Sequence, residues 1–240
     1  MDNNEFKIVR PFGPSVVLAK IPSNIVESLN KYIDKIIADE KKISELDHGN
    51  KLVGDVTQEF KLENEIVDKS GWGKFLKDCV SRWIEIEMKK KITKFNLIDS
   101  WVVRQFENEY NPLHYHGGHI SGVGYLKLPN NYGKSEQESK GENLNGKLQL
   151  IHGTQQFLSP IVLTITPKVG DFYYFPNYMQ HMVYPFKNKT EERRSVSFNA
   201  KIDDNNCGDR QNYGSKTGNH VSGHNRKQGS DCTGSWPQIS

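Results

Sequence analysis

The sequence predicts a mainly β fold, a sandwich or jelly roll, with flanking helices confined to the N-terminal part (α+β). Three observations carry this. Beyond Phe95, runs rich in β-branched and aromatic residues follow one another between turn formers: DSWVVRQFEN, SGVGYLKL, KLQLIHG, SPIVLTITP, GDFYYFP and RSVSFNAKI. Before residue 92, two stretches instead place apolar residues at helical spacing. Histidines then cluster at the mouth of one predicted strand and recur at the end of another, where a jelly roll opens and holds ligands.

Taken in order, Phe6 to Ile21 reads as two short strands around a turn containing Pro11, Gly13 and Pro14. Pro22 and Ser23 open a helix with an apolar stripe of Ile25, Val26, Leu29, Tyr32, Ile33, Ile36 and Ile37, and Asn24 with Glu27 forms a candidate capping box. Residues 46–62 are turn-rich, with one short extended segment. A second helix runs from Trp72 to about Lys90, with Phe75, Leu76, Cys79, Val80, Trp83 and Ile84 on its apolar face. Cys79 on that face reads as a small buried hydrophobe. Both helices are expected to buttress one outer face of the β-structure. The polar insertion between Pro129 and Gly146 has almost nothing to bury and reads as a solvated hairpin loop or as a lid.

The 240 residues suffice for one domain with a full core, expected over 1–203, with helical support over 22–92 and the β-core over 97–203. Residues 204–240 turn to Gly, Ser, Asn and charges and read as a flexible tail. Cys207, His220, His224 and Cys232 in that tail lack the close cysteine pair of a zinc knuckle. A net charge of +3, with both signs interspersed, gives no footprint for nucleic acid. No apolar run reaches the ~20 residues of a membrane span, the first residues lack the character of a signal peptide, and three cysteines without a close pair agree with a reducing compartment. A cytoplasmic location is the expectation.

In an extended strand, side chains at i and i+2 leave on the same face, so His114 and His116 in NPLHYHGGHI can converge on one ion, and His181 in FPNYMQHMVYP can close the site. Two ligands from one strand and a third from a distant one match the facial triad of non-haem iron oxygenases, which leaves positions open for cosubstrate and dioxygen. His119, Glu107 and Asp171 are alternatives to His116 as the second ligand. In EERRSVSFNA, alternation places Arg193, Ser195, Ser197 and Asn199 on one face and Arg194, Val196 and Phe198 on the other. Arg193 and Ser195 together present a planar fork and a hydroxyl to one carboxylate. Tyr125 is a further hydrogen-bonding candidate, Asn199 a candidate to orient ligands, and Arg104 pairs with either a substrate or a surface acid. His48, His119 and His152 read as ordinary hydrogen-bonded residues.

HYHGGHISGVGYLKLP, FPNYMQHMVYP and RRSVSFN together resemble the motif string of Fe(II)/2-oxoglutarate-dependent oxygenases of phages and bacteria, relatives of the prolyl-hydroxylase-like group. The motif resemblance spans about 97–202. It implies a double-stranded β-helix (cupin-like jelly roll), Fe(II) held by His114, His116 and His181, and 2-oxoglutarate held by Arg193 and Ser195, with Tyr125 alongside. It also implies dioxygen as co-reactant, ascorbate as a supporting reductant, a protein side-chain or small-molecule substrate, and a host-cytoplasmic setting if the gene is phage-borne. The chain departs from the wider superfamily in one respect: His116 stands where that superfamily carries Asp or Glu. Two other readings stay open, a non-oxidative cupin-like ligand-binding module and a virion component with a vestigial site.

Overall fold

The computed structural model describes residues 6–9, 13–135, 137, 139 and 141–203; the expected tail over 204–240, with its two cysteines and two histidines, lies outside the described residues. The chain opens with strands β1 (Phe6–Val9) and β2 (Val16–Lys20), followed by helices α1 (Ser23–Ile37) and α2 (Glu40–Leu46), strand β3 (Gln58–Lys61) and helices α3 (Asn64–Lys69) and α4 (Trp72–Met88). Eight strands complete it: β4 (Phe95–Gln105), β5 (Asn111–His114), β6 (Ile120–Lys127), β7 (Leu148–Ile151), β8 (Val162–Ile165), β9 (Asp171–Pro176), β10 (Gln180–Val183) and β11 (Arg193–Ile202).

These strands form two antiparallel sheets. The larger has the order β1-β2-β9-β6-β11-β4-β3 and the smaller β5-β10-β7-β8. From β4 onward the chain alternates between them, except that β7 and β8 are paired within the small sheet. This is the wound, double-sheet connectivity of a jelly roll, the expected double-stranded β-helix. The N-terminal hairpin and β3 extend the large sheet at opposite edges, so β3 contributes a strand from within the stretch expected to serve as helical support.

Alternation along the large sheet decides what faces what. Its outer face carries Val102, Phe172, Tyr174, Val196 and Phe198, which pack with Ile25, Leu29 and Ile33 of α1 and Trp72, Phe75, Leu76 and Val80 of α4 in one core. Both expected helices therefore buttress the outer face. Its inner face joins the small sheet in a second core of Val123, Phe175, Leu148, Leu150 and Val183. Trp72 donates its indole N–H to Ser100 Oγ at 3.0 Å, tying α4 to β4. Burial pushes the Cys79 thiol up to about 11, as befits a packed cysteine.

Close helix-to-sheet packing requires two glycines on the outer face of β6. A Cβ on Gly124 would lie 2.3 Å from Phe172 Cδ2 and 2.7 Å from the Asp171 carbonyl, and one on Gly122 would lie 2.6 Å from the Phe172 ring. Gly124→Ala is expected to destabilise the fold by about 1–3 kcal/mol in urea unfolding, because backbone and a core ring must both move. An unchanged midpoint would contradict this packing.

Two local expectations are corrected. Helix α1 has Pro22 at its N-cap with no side-chain capping bond, because the helix starts at Ser23 and leaves Asn24 inside the first turn. The polar insertion is not simply a solvated hairpin. Tyr132 packs edge-on against Phe186 at 5.8 Å, and Asn145 Nδ2 donates to the Tyr132 carbonyl at 3.0 Å.

Candidate metal centre and cosubstrate pocket

Strands β5 and β10 pair with His114 directly opposite His181, so one imidazole from each is brought to the same rung of the small sheet. His116 follows just beyond β5. Its backbone is fixed by the N–H bond to the Asn177 carbonyl at 3.0 Å and by Asn177 Nδ2 donating to its own carbonyl at 3.0 Å. The three rings lie 4.2–4.9 Å apart between centroids, and their ligating atoms all fall within 4.8 Å of one another.

The outer nitrogens of two of them are already committed. His114 Nδ1 sits 2.7 Å from the Pro112 carbonyl and His181 Nδ1 3.0 Å from the Met179 carbonyl. A carbonyl there selects the Nδ1–H tautomer and leaves the Nε2 lone pair to face the centre, the way metal-binding histidines are commonly oriented. His116 Nε2 and His181 Nε2 are 3.1 Å apart. Two nitrogens each about 2.1 Å from one ion and at right angles would be about 3.0 Å apart, so the pair fits adjacent coordination positions. Burial lowers the pKa of all three imidazoles; for His116 it does so, with the neighbouring His114 charge, to about 4, and for His181 both neighbours add to burial. The rings are thus neutral, the form that binds a metal.

The alternatives to His116 lie elsewhere. Asp171 is paired with Lys20, His119 Nδ1 accepts the Ile202 N–H at 3.1 Å, and Glu107 is absent from the cluster.

Farther along the inner face, β11 pairs Arg193 with Gln105 and Ser195 with Tyr125. Arg193 is buried, with Nη1 donating to Gln105 Oε1 at 3.1 Å and Ser195 Oγ at 3.3 Å and its guanidinium 5.1 Å from the centre of the Tyr125 ring. Its Nε and Nη2, and the hydroxyls of Tyr125 and Tyr132, are buried without a hydrogen-bond partner among the described residues. Unpaired buried donors are costly. Four of them around one guanidinium fit an anionic ligand, in particular a carboxylate that takes a planar fork.

The next residue is placed oppositely. Arg194 faces α1, donating to Asn30 Oδ1 at 3.0 Å, Asp34 Oδ1 at 2.9 Å and Glu192 Oε1 at 2.7 Å. Arg104 is also taken up by an acid, Glu192, together with Gln58. Asn199 Oδ1 accepts from Ser121 Oγ at 2.7 Å and lines the cavity in front of the histidines.

That cavity, about 390 Å³, holds residues that the sequence pattern did not single out. Glu59 and Asp99 line it, and His48, read as an ordinary hydrogen-bonded residue, lies 2.6 Å from Asp99 Oδ2 within it. Burial first, then the charges of Asp47 and Glu109, push the Glu59 carboxyl from its ordinary 4.5 up to about 8. The folded state therefore holds a proton that the unfolded chain releases between these values, and stability falls as pH rises through that window. Glu59→Gln removes this cost and is expected to stabilise by on the order of 1–3 kcal/mol at pH 9 while changing little at pH 4. Urea unfolding at the two pH values checks this; a pH-independent effect would contradict the placement.

The jelly roll thus brings together three imidazoles able to hold a metal ion and a buried arginine with two nitrogens left for an anionic ligand. Residues 99–199 match the model of the family described as "Putative 2OG-Fe(II) oxygenase". The match takes in most of the strands that carry both clusters, and over these residues the chain is similar to that family. Among solved structures it is similar to a prolyl-4-hydroxylase of Pseudomonas putida (14% identity, 78% of this chain and 92% of that one, TM-score 0.49). It is also similar to a viral collagen prolyl hydroxylase of Paramecium Bursaria Chlorella virus-1 in its 2-oxoglutarate complex (17%, 76% and 94%, TM-score 0.48). A third is a Trichoplax adhaerens prolyl hydroxylase bound to a hypoxia-inducible-factor peptide fragment (14%, 85% and 86%, TM-score 0.49). No curated protein sequence matches the chain. Among the described residues, no helix is long and apolar enough to cross a membrane.

Proposed function

We infer that the protein hydroxylates a protein side chain or a small molecule, with 2-oxoglutarate consumed to succinate and carbon dioxide, in one oxygenase domain over 1–203. The observation that carries this is the presence of the three-imidazole cluster on the small sheet together with the two unpartnered buried nitrogens of Arg193 on the facing large sheet.

In this reading His114, His116 and His181 hold the ion through Nε2, and the Pro112 and Met179 carbonyls keep two of the rings in the tautomer that allows it. Bound iron supplies the redox chemistry that couples dioxygen to oxidation of both cosubstrate and substrate. Arg193, with Ser195 and Tyr125, receives the distal carboxylate of 2-oxoglutarate, and Gln105 sets the guanidinium plane by accepting from Nη1. Phe175, 4.9 Å from the His181 ring, and Trp101, 5.6 Å from that of His116, give the centre aromatic neighbours on two sides.

A second reading rests on the missing carboxylate ligand. Three neutral imidazoles suit zinc, copper, nickel and iron alike, as a non-oxidative cupin-like binding module would need. Succinate formation from 2-oxoglutarate by the full chain under air, with Fe(II) and ascorbate, separates the two. The oxygenase reading expects succinate even without added substrate, and its loss on omitting iron. Metal binding with neither succinate nor 2-oxoglutarate uptake would favour the module.

A further inference from the structure

We propose that the cavity in front of the histidine cluster is a recognition site for a substrate bearing a cationic nitrogen, an amine or guanidinium group; this rests on the oxygenase reading only in calling the occupant a substrate. The carrying observation is Glu59. It is 1% exposed, lines the same cavity as His114 and His116, and has neither carboxylate oxygen hydrogen-bonded among the described residues.

Strand register explains its direction. Glu59 lies opposite Val103 on β4, and Val103 lies opposite Ser195, so all three share the inner face of the large sheet, while Phe60 turns outward into the helix-packed core. The fold thus sends a carboxyl group inward and supplies it with no donor. The surroundings are acidic as well: Asp47 and Glu109 act on Glu59 by their charge, and Asp99 lines the cavity against His48. Among the described residues, Lys51 is the only lysine or arginine in the lining, and it is exposed.

An anionic occupant would meet the charges of Asp47, Glu109 and Asp99 even where Glu59 is protonated. An apolar one would leave Glu59 unpaired. A cationic N–H donor instead supplies the missing hydrogen bond and the missing counter-charge together, which is where charge-assisted bonds are strongest. With His114 and His116 on the same cavity wall, a basic side chain so anchored lies beside the metal centre.

A competing explanation is that an inward charge on the edge strand β3 merely discourages strand addition. The test is calorimetric titration of the full chain with N-acetylarginine methylamide, N-acetyllysine methylamide and the neutral arginine isostere N-acetylcitrulline methylamide. It is run with Mn(II) and 2-oxoglutarate present and again with neither. The cationic probes are expected to bind about tenfold or more tighter than the citrulline one, and Glu59→Gln to erase the difference. The wild-type comparison stands even if the variant fails to fold. Equal affinities, no binding of any probe, or a preference that survives in a folded Glu59→Gln chain would overturn the proposal. A cation preference in a chain that does not bind 2-oxoglutarate would sink the oxygenase reading and leave the recognition site standing; 2-oxoglutarate binding without the preference would do the reverse.

Discussion

His181→Ala is expected to lower metal affinity by more than about 100-fold and to abolish succinate formation. Loss of a group that merely orients a ligand already costs about 10–100-fold in affinity. His181 is itself a proposed ligand, is buried, and is the residue against which both other rings are set, at 4.2 Å from His114 and 4.9 Å from His116. Without it the two remaining imidazoles come from one short segment and cannot enclose an ion. The fold should persist, because Gln180, Met182 and Val183 still pair β10 with β7. Metal titration beside a circular-dichroism spectrum checks both halves; retained affinity in a folded variant would move the centre elsewhere.

Arg193→Ala is expected to weaken 2-oxoglutarate binding by about one to two powers of ten or more, since charge-assisted hydrogen bonds contribute roughly 1.5–3 kcal/mol each. The effect should fall on 2-oxoglutarate and leave metal affinity nearly unchanged, because Arg193 makes its contacts with Gln105, Ser195 and Tyr125, none of them in the histidine cluster. Arg194→Ala is the informative comparison. It breaks the contacts to Asn30, Asp34 and Glu192 on the outer face, so it should destabilise the fold without a selective loss of 2-oxoglutarate. If both variants lost cosubstrate binding equally, the alternation argument for β11 would fail.

The difference between these two neighbours was legible in the sequence, because a strand's period of two is strict and RRSVSFNA is long enough to show it. The same rule suggested His114 and His116 as a pair, but β5 ends at His114 and His116 is brought beside it by its bonds to Asn177 rather than by strand alternation. Much of the rest was not legible, for physical reasons. Glu59 lies in a turn-rich stretch on a strand of four residues, too short for a readable alternation, and only its pairing with β4 turns it inward. Gln105 is the last residue of β4 and becomes the partner of Arg193 only through the register with β11. Tyr132 sits in a polar insertion whose composition says solvent, yet its ring packs on Phe186 and its hydroxyl is buried. Helix α2, EKKISEL, buries no residue and so leaves no apolar stripe to find. Local pattern showed faces; long-range pairing decided which polar groups meet.

The central claim is that the histidine cluster and Arg193 act on one ligand. The most direct measurement is calorimetric titration of 2-oxoglutarate into the full chain with and without Mn(II), in wild type and Arg193→Ala. The expected result is binding that requires the metal and is weakened at least tenfold by the substitution. Binding indifferent to metal, or unaltered without Arg193, would contradict the account.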